Sequence, residues 1–150
     1  MHGESSATTD RRTLLAAMAA GGVITKTGMA RAASAKRALP DLGPNVVIVD
    51  PDMPDASVQA RIDTIFRAQE KAHFSDDRYA ILLLPGRHRL DINVGFFTQV
   101  AGLGALPGDC VIDGHVHVEA DWKQGMALVN FWRSAENLAV RPPDGADRWA

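Results

Sequence analysis

Cysteine is almost absent from this 150-residue chain, where Cys110 stands alone. A single thiol excludes an intramolecular disulfide framework and a cysteine-based zinc site. Aromatic residues are sparse at 6%, with one tyrosine, and no apolar run approaches the roughly 18 residues of a membrane span. A chain without a stable membrane anchor is therefore expected. There is no surplus of charge either. A net charge of -2 and a pI near 6.2 exclude a dedicated nucleic-acid binder, which needs basic residues to displace counterions. Gly102-Leu103-Gly104 with Gly108 is one residue too long for the dinucleotide fingerprint, and no helical pattern follows it. No phosphate-cradling loop ending in Gly-Lys-Ser or Gly-Lys-Thr occurs, so no organic cofactor is expected. What is present, 46% hydrophobic and 23% charged, is the composition of one modest globular domain.

The first 35 residues read as an export signal rather than part of the fold. Arg11 and Arg12 precede a weakly apolar, Ala- and Gly-rich stretch from Leu14 to Ile24; Lys26 follows, then Ala33-Ser34-Ala35 as a small-x-small cleavage site. Paired arginines ahead of a mild hydrophobic region point to the twin-arginine (Tat) export machinery, and hence to a secreted or periplasmic protein. Removing this segment takes away Glu4 and Asp10 against Arg11, Arg12, Lys26 and Arg31, which leaves the remainder at about -4.

Residues 36–44 read as a linker broken by Pro40, Gly43 and Pro44. Asn45–Val49 is a short β-branched run ending at Asp50-Pro51, the pattern of a buried strand. From Pro54 to His73 the spacing of Val58, Ile62, Ile65, Phe66 and Gln69 predicts one amphipathic helix, with Asp52 or Asp55 as its N-cap. The rest has the character of β-structure. Tyr79–Leu84 is continuous and apolar, as in a strand buried on both faces, and should be the most buried of all. His88–Val94 alternates, with Leu90, Ile92 and Val94 on one side. Shorter runs follow at Thr98–Ala101, Cys110–Ile112, His115–Glu119, Leu128–Trp132 and Leu138–Val140. Many short strands separated by glycine fit a sandwich, a barrel or a solenoid. Asp113-Gly114 is the only good hairpin turn, so a solenoid capped by the single helix is slightly favoured.

Particular stretches carry a resemblance. A strand, a helix, then Arg78-Tyr79-Ala80-Ile81-Leu82-Leu83-Leu84-Pro85-Gly86 and an alternating strand resemble the opening of pectate-lyase-like β-helix proteins, although His88 stands where tyrosine is usual. Gly102-Leu103-Gly104 and Val111-Ile112-Asp113-Gly114 match the elements that follow. Asn93–Val100 and Asn130–Leu138 are similar to stretches of a group of large secreted bacterial proteins. That group is often labelled adenylyl cyclase, and it resembles β-helix polysaccharide hydrolases and lyases, including exo-β-1,3-glucanase-like enzymes. The resemblance implies a mainly β fold over 45–150, the start of a right-handed parallel β-helix with an N-terminal capping helix. It also implies a polysaccharide partner and a much longer chain, of which these residues form the N-terminal portion, inactive alone. The competing reading is a non-catalytic structural or carbohydrate-binding module, or a truncated inactive remnant.

Candidate chemistry is local. His115, His117 and Glu119 share one face of a strand at period two, where two imidazoles and a carboxylate could hold a divalent metal, or simply form a polar face opposite Val116 and Val118. Asp109, Asp113, Glu119 and Asp121 supply carboxylates, but nothing in the spacing brings two of them across a sugar, and the catalytic residues stay unknown. Among the aromatics, Trp122, after Asp121 and beside Lys123, is the best exposed candidate for sugar stacking, with Asp121 as a candidate substrate-binding partner and Phe97, Phe131 and Trp132 assigned to core packing. His73 and His88 are expected at the surface.

Overall fold

The computed structural model describes residues 38–143 and 145; the proposed signal residues Arg11, Arg12, Ala33 and Ala35 lie outside them. Residues 38–43 carry no regular secondary structure, and the first strand is β1, Val46–Val49. A single α-helix, α1 (Asp55–Gln69), follows. Eight short strands succeed it: β2 (Tyr79–Leu83), β3 (Gly86–His88), β4 (Asp91–Asn93), β5 (Thr98–Gly102), β6 (Cys110–Asp113), β7 (His115–His117), β8 (Arg133–Glu136) and β9 (Ala139–Arg141).

Every strand pair is parallel. The first sheet has the order β1-β2-β5-β8, the second β3-β6-β9 and the third β4-β7. The chain visits the sheets in turn and then returns to the first, so each circuit lays one layer on the last. Tyr79 pairs with Thr98, and Thr98 with Arg133. The second circuit is longer because 3₁₀ turns at Asp121–Lys123 and Ala127–Val129 intervene. Among the described residues the fold is mainly β with one α-helix, as expected. Asp113-Gly114 makes no hairpin: Gly114 lies so near the previous circuit that a Cβ there would sit 2.0 Å from the Leu90 carbonyl oxygen.

Several elements differ from the sequence reading. The helix ends at Gln69 rather than His73, because that end is already engaged. The Gln69 carbonyl accepts the Phe96 amide at 2.9 Å, its side chain donates to the Asp77 carbonyl at 3.1 Å, and Gly95 packs on it. Neither Asp52 nor Asp55 caps the helix. Pro54 takes the N-cap position with no side-chain bond, and Asp55 instead receives the Arg89 Nε at 3.0 Å. The expected strand 88–94 bends at Arg89-Leu90 into β3 and β4, so that each half joins a different sheet. In β2 only Ile81 and Leu83 are fully buried, because the strand alternates like the others; β6, with Cys110, Val111 and Ile112 all buried, exceeds it. Leu128–Trp132 is a 3₁₀ turn and loop rather than a strand, whereas β8, too polar to read as a buried strand, continues the first sheet.

The core fills the space inside the circuits. Val58, Ile62 and Ile65 from α1 pack with Val49, Ile81, Leu83, Leu90, Ile92, Val100, Ile112 and Val116. At roughly 1.5–3 kcal/mol per buried aliphatic side chain, this column outweighs any single polar contact described below. Cys110 is buried among them, its thiol 3.3 Å from the Leu83 carbonyl oxygen. His88, expected outside, is 2% exposed: it occupies an inward position of β3 and is satisfied there by the Leu84 carbonyl oxygen at 2.9 Å.

Candidate functional site

The third sheet and the flank of α1 enclose an open cleft of about 720 Å³. Helical spacing brings Gln59, Asp63 and Phe66 of α1 onto one wall, and β4 and β7 form the other. Gln59 joins the two walls. Its Oε1 accepts the Asp91 amide at 2.9 Å while its Nε2 donates to the Asp91 carbonyl and to Asp63 Oδ1, both at 2.7 Å. The side-chain amide thus acts as one more strand on the first edge of β4 and satisfies backbone groups that would otherwise invite pairing.

Within the cleft His117 lies between two carboxylates: Nε2 is 2.7 Å from Asp91 Oδ1 and Nδ1 is 3.2 Å from Glu119 Oε1. A ring protonated on both nitrogens donates to both acids. The ring is largely covered, whereas Asp91 and Glu119 are half or more exposed and keep acceptor positions open to the cleft. Asp113, paired with Arg87, Arg89, paired with Asp55, and Asn93, whose Oδ1 is buried without a partner, complete the polar lining. A half-buried aromatic, Phe66, beside several planar acceptors is chemically able to receive a polyhydroxylated ligand, with apolar ring faces against Phe66 and hydroxyls donating to the acids.

The expected site residues divide. Parallel register places His115 beside Asp91 and His117 beside Asn93, and of these two histidines only His117 lines the cleft. Glu119 joins His117 there, but among the described residues no group of three or more His, Cys, Asp or Glu side chains is arranged to hold a metal ion. Trp122 and Asp121 lie in a 3₁₀ turn away from the cleft lining. Trp122 is not the open platform expected: its ring meets Phe96 edge-on and stacks on His73, both at 6.1 Å, and its Nε1 is buried. Phe131 and Trp132, assigned to the core, are instead 57% and 69% exposed, because the loop before β8 carries them to the outside. Gln59, Asp63, Phe66 and Asp91 were missed as site residues. Asp91 was visible only as the polar side of an alternating strand, and its meeting with His117 depends on a register that no local pattern encodes.

Arg133 is the strongest electrostatic anomaly. Burial lowers its pKa to about 10, since a guanidinium loses hydration there. It donates to the Val94 carbonyl oxygen and lies 4.2 Å above the Phe96 ring, while Nε and Nη2 are buried without acceptors.

Parallel sheets built by repeated circuits, with one helix against the first of them, define the class of the fold. No family model matches the chain. An exo-β-1,3-glucanase of Streptomyces sp. (strain SirexAA-E / ActE) is 51% identical over 112 residues, which cover 73% of this chain and 18% of that protein. The solved structure of sacteLam55A from Streptomyces sp. SirexAA-E superimposes with a TM-score of 0.69 at 48% identity. A variant of it in complex with glucose gives 0.70. Each match covers 74% of this chain and 20% of that one, so the chain spans about a fifth of the length of the relatives it matches.

Proposed function

We propose that this chain forms the first coils of a right-handed parallel β-helix in a secreted, carbohydrate-active protein of the exo-β-1,3-glucanase type. In this reading it is exported through the twin-arginine route by Arg11 and Arg12. The observation that carries the reading is the 51% identity to an exo-β-1,3-glucanase over 112 residues, 73% of this chain. The return of each circuit to the same three parallel sheets supports the β-helix. The role of this stretch is to build the helix-covered end of the coil and to hold glucan in the α1–β4–β7 cleft, while the hydrolytic acids lie elsewhere.

The test is affinity electrophoresis of the 150-residue chain in gels containing laminarin, pectin or starch, together with an assay for released reducing sugar. Retardation by laminarin alone, without sugar release, is expected. Phe66→Ala with Asp91→Asn should weaken it about tenfold, the loss of one stacking face and one charged hydrogen bond. Retardation by pectin in place of laminarin would overturn the glucan assignment, and no retardation by any of the three would reduce this stretch to an inert scaffold.

A further inference from the structure

His117 has two acceptors to satisfy and, when neutral, one proton with which to do it. Its Nε2 lies 2.7 Å from Asp91 Oδ1 and its Nδ1 3.2 Å from Glu119 Oε1, so both ring nitrogens face carboxylate oxygens. An imidazolium carries two N–H groups and serves both acids. A neutral imidazole carries one, which leaves the lone pair of the other nitrogen pointing at a carboxylate. The two-acid arrangement therefore belongs to the protonated ring, and imidazoles as a class exchange that proton near neutral pH.

The two acids are not held equally. Asp91 lies within β4, where Gln59 binds both its amide and its carbonyl and the pairing with β7 sets its distance from the ring. Glu119 lies two residues past the end of β7, on a longer side chain that is half exposed, and its contact to the ring is the longer one. A neutral ring therefore keeps its proton on Nε2 for Asp91, and Glu119, left facing a lone pair, swings away. Among the other charged groups around the ring, Asp63 of α1 is bound by Gln59, Arg89 between β3 and β4 is paired with Asp55, and Asp113 at the end of β6 with Arg87. Arg141 of β9 stands in register with Asp113, and His115 of β7 in register with Asp91 but off the cleft lining. Among the described residues Arg89 is the only other basic side chain that lines the cleft.

We infer that His117 is the positioning residue of the cleft: protonated, it clamps Asp91 and Glu119 on opposite sides of one ring with their remaining lone pairs free for glucan hydroxyls, and on losing its proton it releases Glu119 and loosens the sugar. Acceptors fixed before the ligand arrives spare the cost of ordering them on binding. The inference rests on the glucan reading of the cleft given above, and two measurements on the 150-residue chain separate the two. Ring-nitrogen NMR without sugar should show His117 protonated on both nitrogens at about pH 5 and on Nε2 alone at about pH 9, with the Glu119 carboxyl carbon shifting at the same midpoint. Retardation by laminarin should weaken about threefold to tenfold over the same range. Glu119→Gln should flatten that profile, because a carboxamide accepts from the charged ring and donates to the neutral one. His117→Gln should flatten it at the weaker level, whereas His115→Gln should preserve it. Should His117→Gln fail to accumulate, Glu119→Gln, at a half-exposed side chain, decides. A flat wild-type profile over a range in which the ring titrates would overturn the clamp. So would a profile lost with His115, a neutral ring protonated on Nδ1, or a ring whose protonation is the same at both pH values. Linked titration of the ring and Glu119 in a chain that laminarin never retards would overturn the glucan reading and leave the two-acid clamp standing.

Discussion

The two ends of the coil stack are built from similar strands and finished in opposite ways. At the β1 end a 15-residue helix lays Val58, Ile62 and Ile65 onto the core, and Gln59 occupies the hydrogen-bonding edge of β4. At the β8–β9 end the inward side chains are half-buried, the strand edges have no neighbour among the described residues, and Trp132 presents a bare face. A parallel coil satisfies each layer through the next, so its end layers need something other than themselves. At one end the helix supplies this for β4, while the outer edge of β1 has no strand beside it among the described residues. The cleft also forms only at that end, because it needs the helix flank as its second wall.

The contrast is sharpest in the core. Ile62→Ala and Ile92→Ala, at sites 1% and 0% exposed, should each cost about 3 kcal/mol in urea unfolding, while Val140→Ala at the open end should cost less than about 1 kcal/mol. Equal losses would mean that the open end is as well packed as the covered one in solution. A smaller effect tests the covered edge itself. Gln59→Leu strands the Asp91 amide and carbonyl and should cost about 1–2 kcal/mol, against less than about 0.5 kcal/mol for Trp132→Ser in the 150-residue chain.

The smallest effect concerns Arg133. Its folded pKa, lowered by burial to about 10, means that the unfolded chain holds this proton more tightly. The desolvation penalty is therefore complete below about pH 10 and is relieved as pH rises above it. Comparing the wild type with Arg133→Met from about pH 9 to about pH 11, the Tm difference should move about 1–2 °C in favour of the wild type. A difference constant with pH would show a guanidinium better hydrated than its position implies.

The local sequence pattern was sufficient for β1, for β2 and for the stripe of α1, because β-branched runs and the 3.6-residue period place side chains on faces without reference to the rest of the chain. Likewise the burial of Leu90, Ile92 and Val94 follows from alternation alone. The tertiary structure decided the rest. Gln69 stops the helix because the Phe96 amide and the Asp77 carbonyl claim it from later in the chain. His88 is buried because the bend at Arg89-Leu90 turns β3 inward, and Trp132 is exposed because of the layer on which its loop falls. The Asp91–His117–Glu119 array joins residues of two different circuits, and only the register between β4 and β7 brings them together. Periodicity fixes the face on which a residue lies; which layer covers that face is set by strands far away in sequence, whose pairing is a property of the assembled coil.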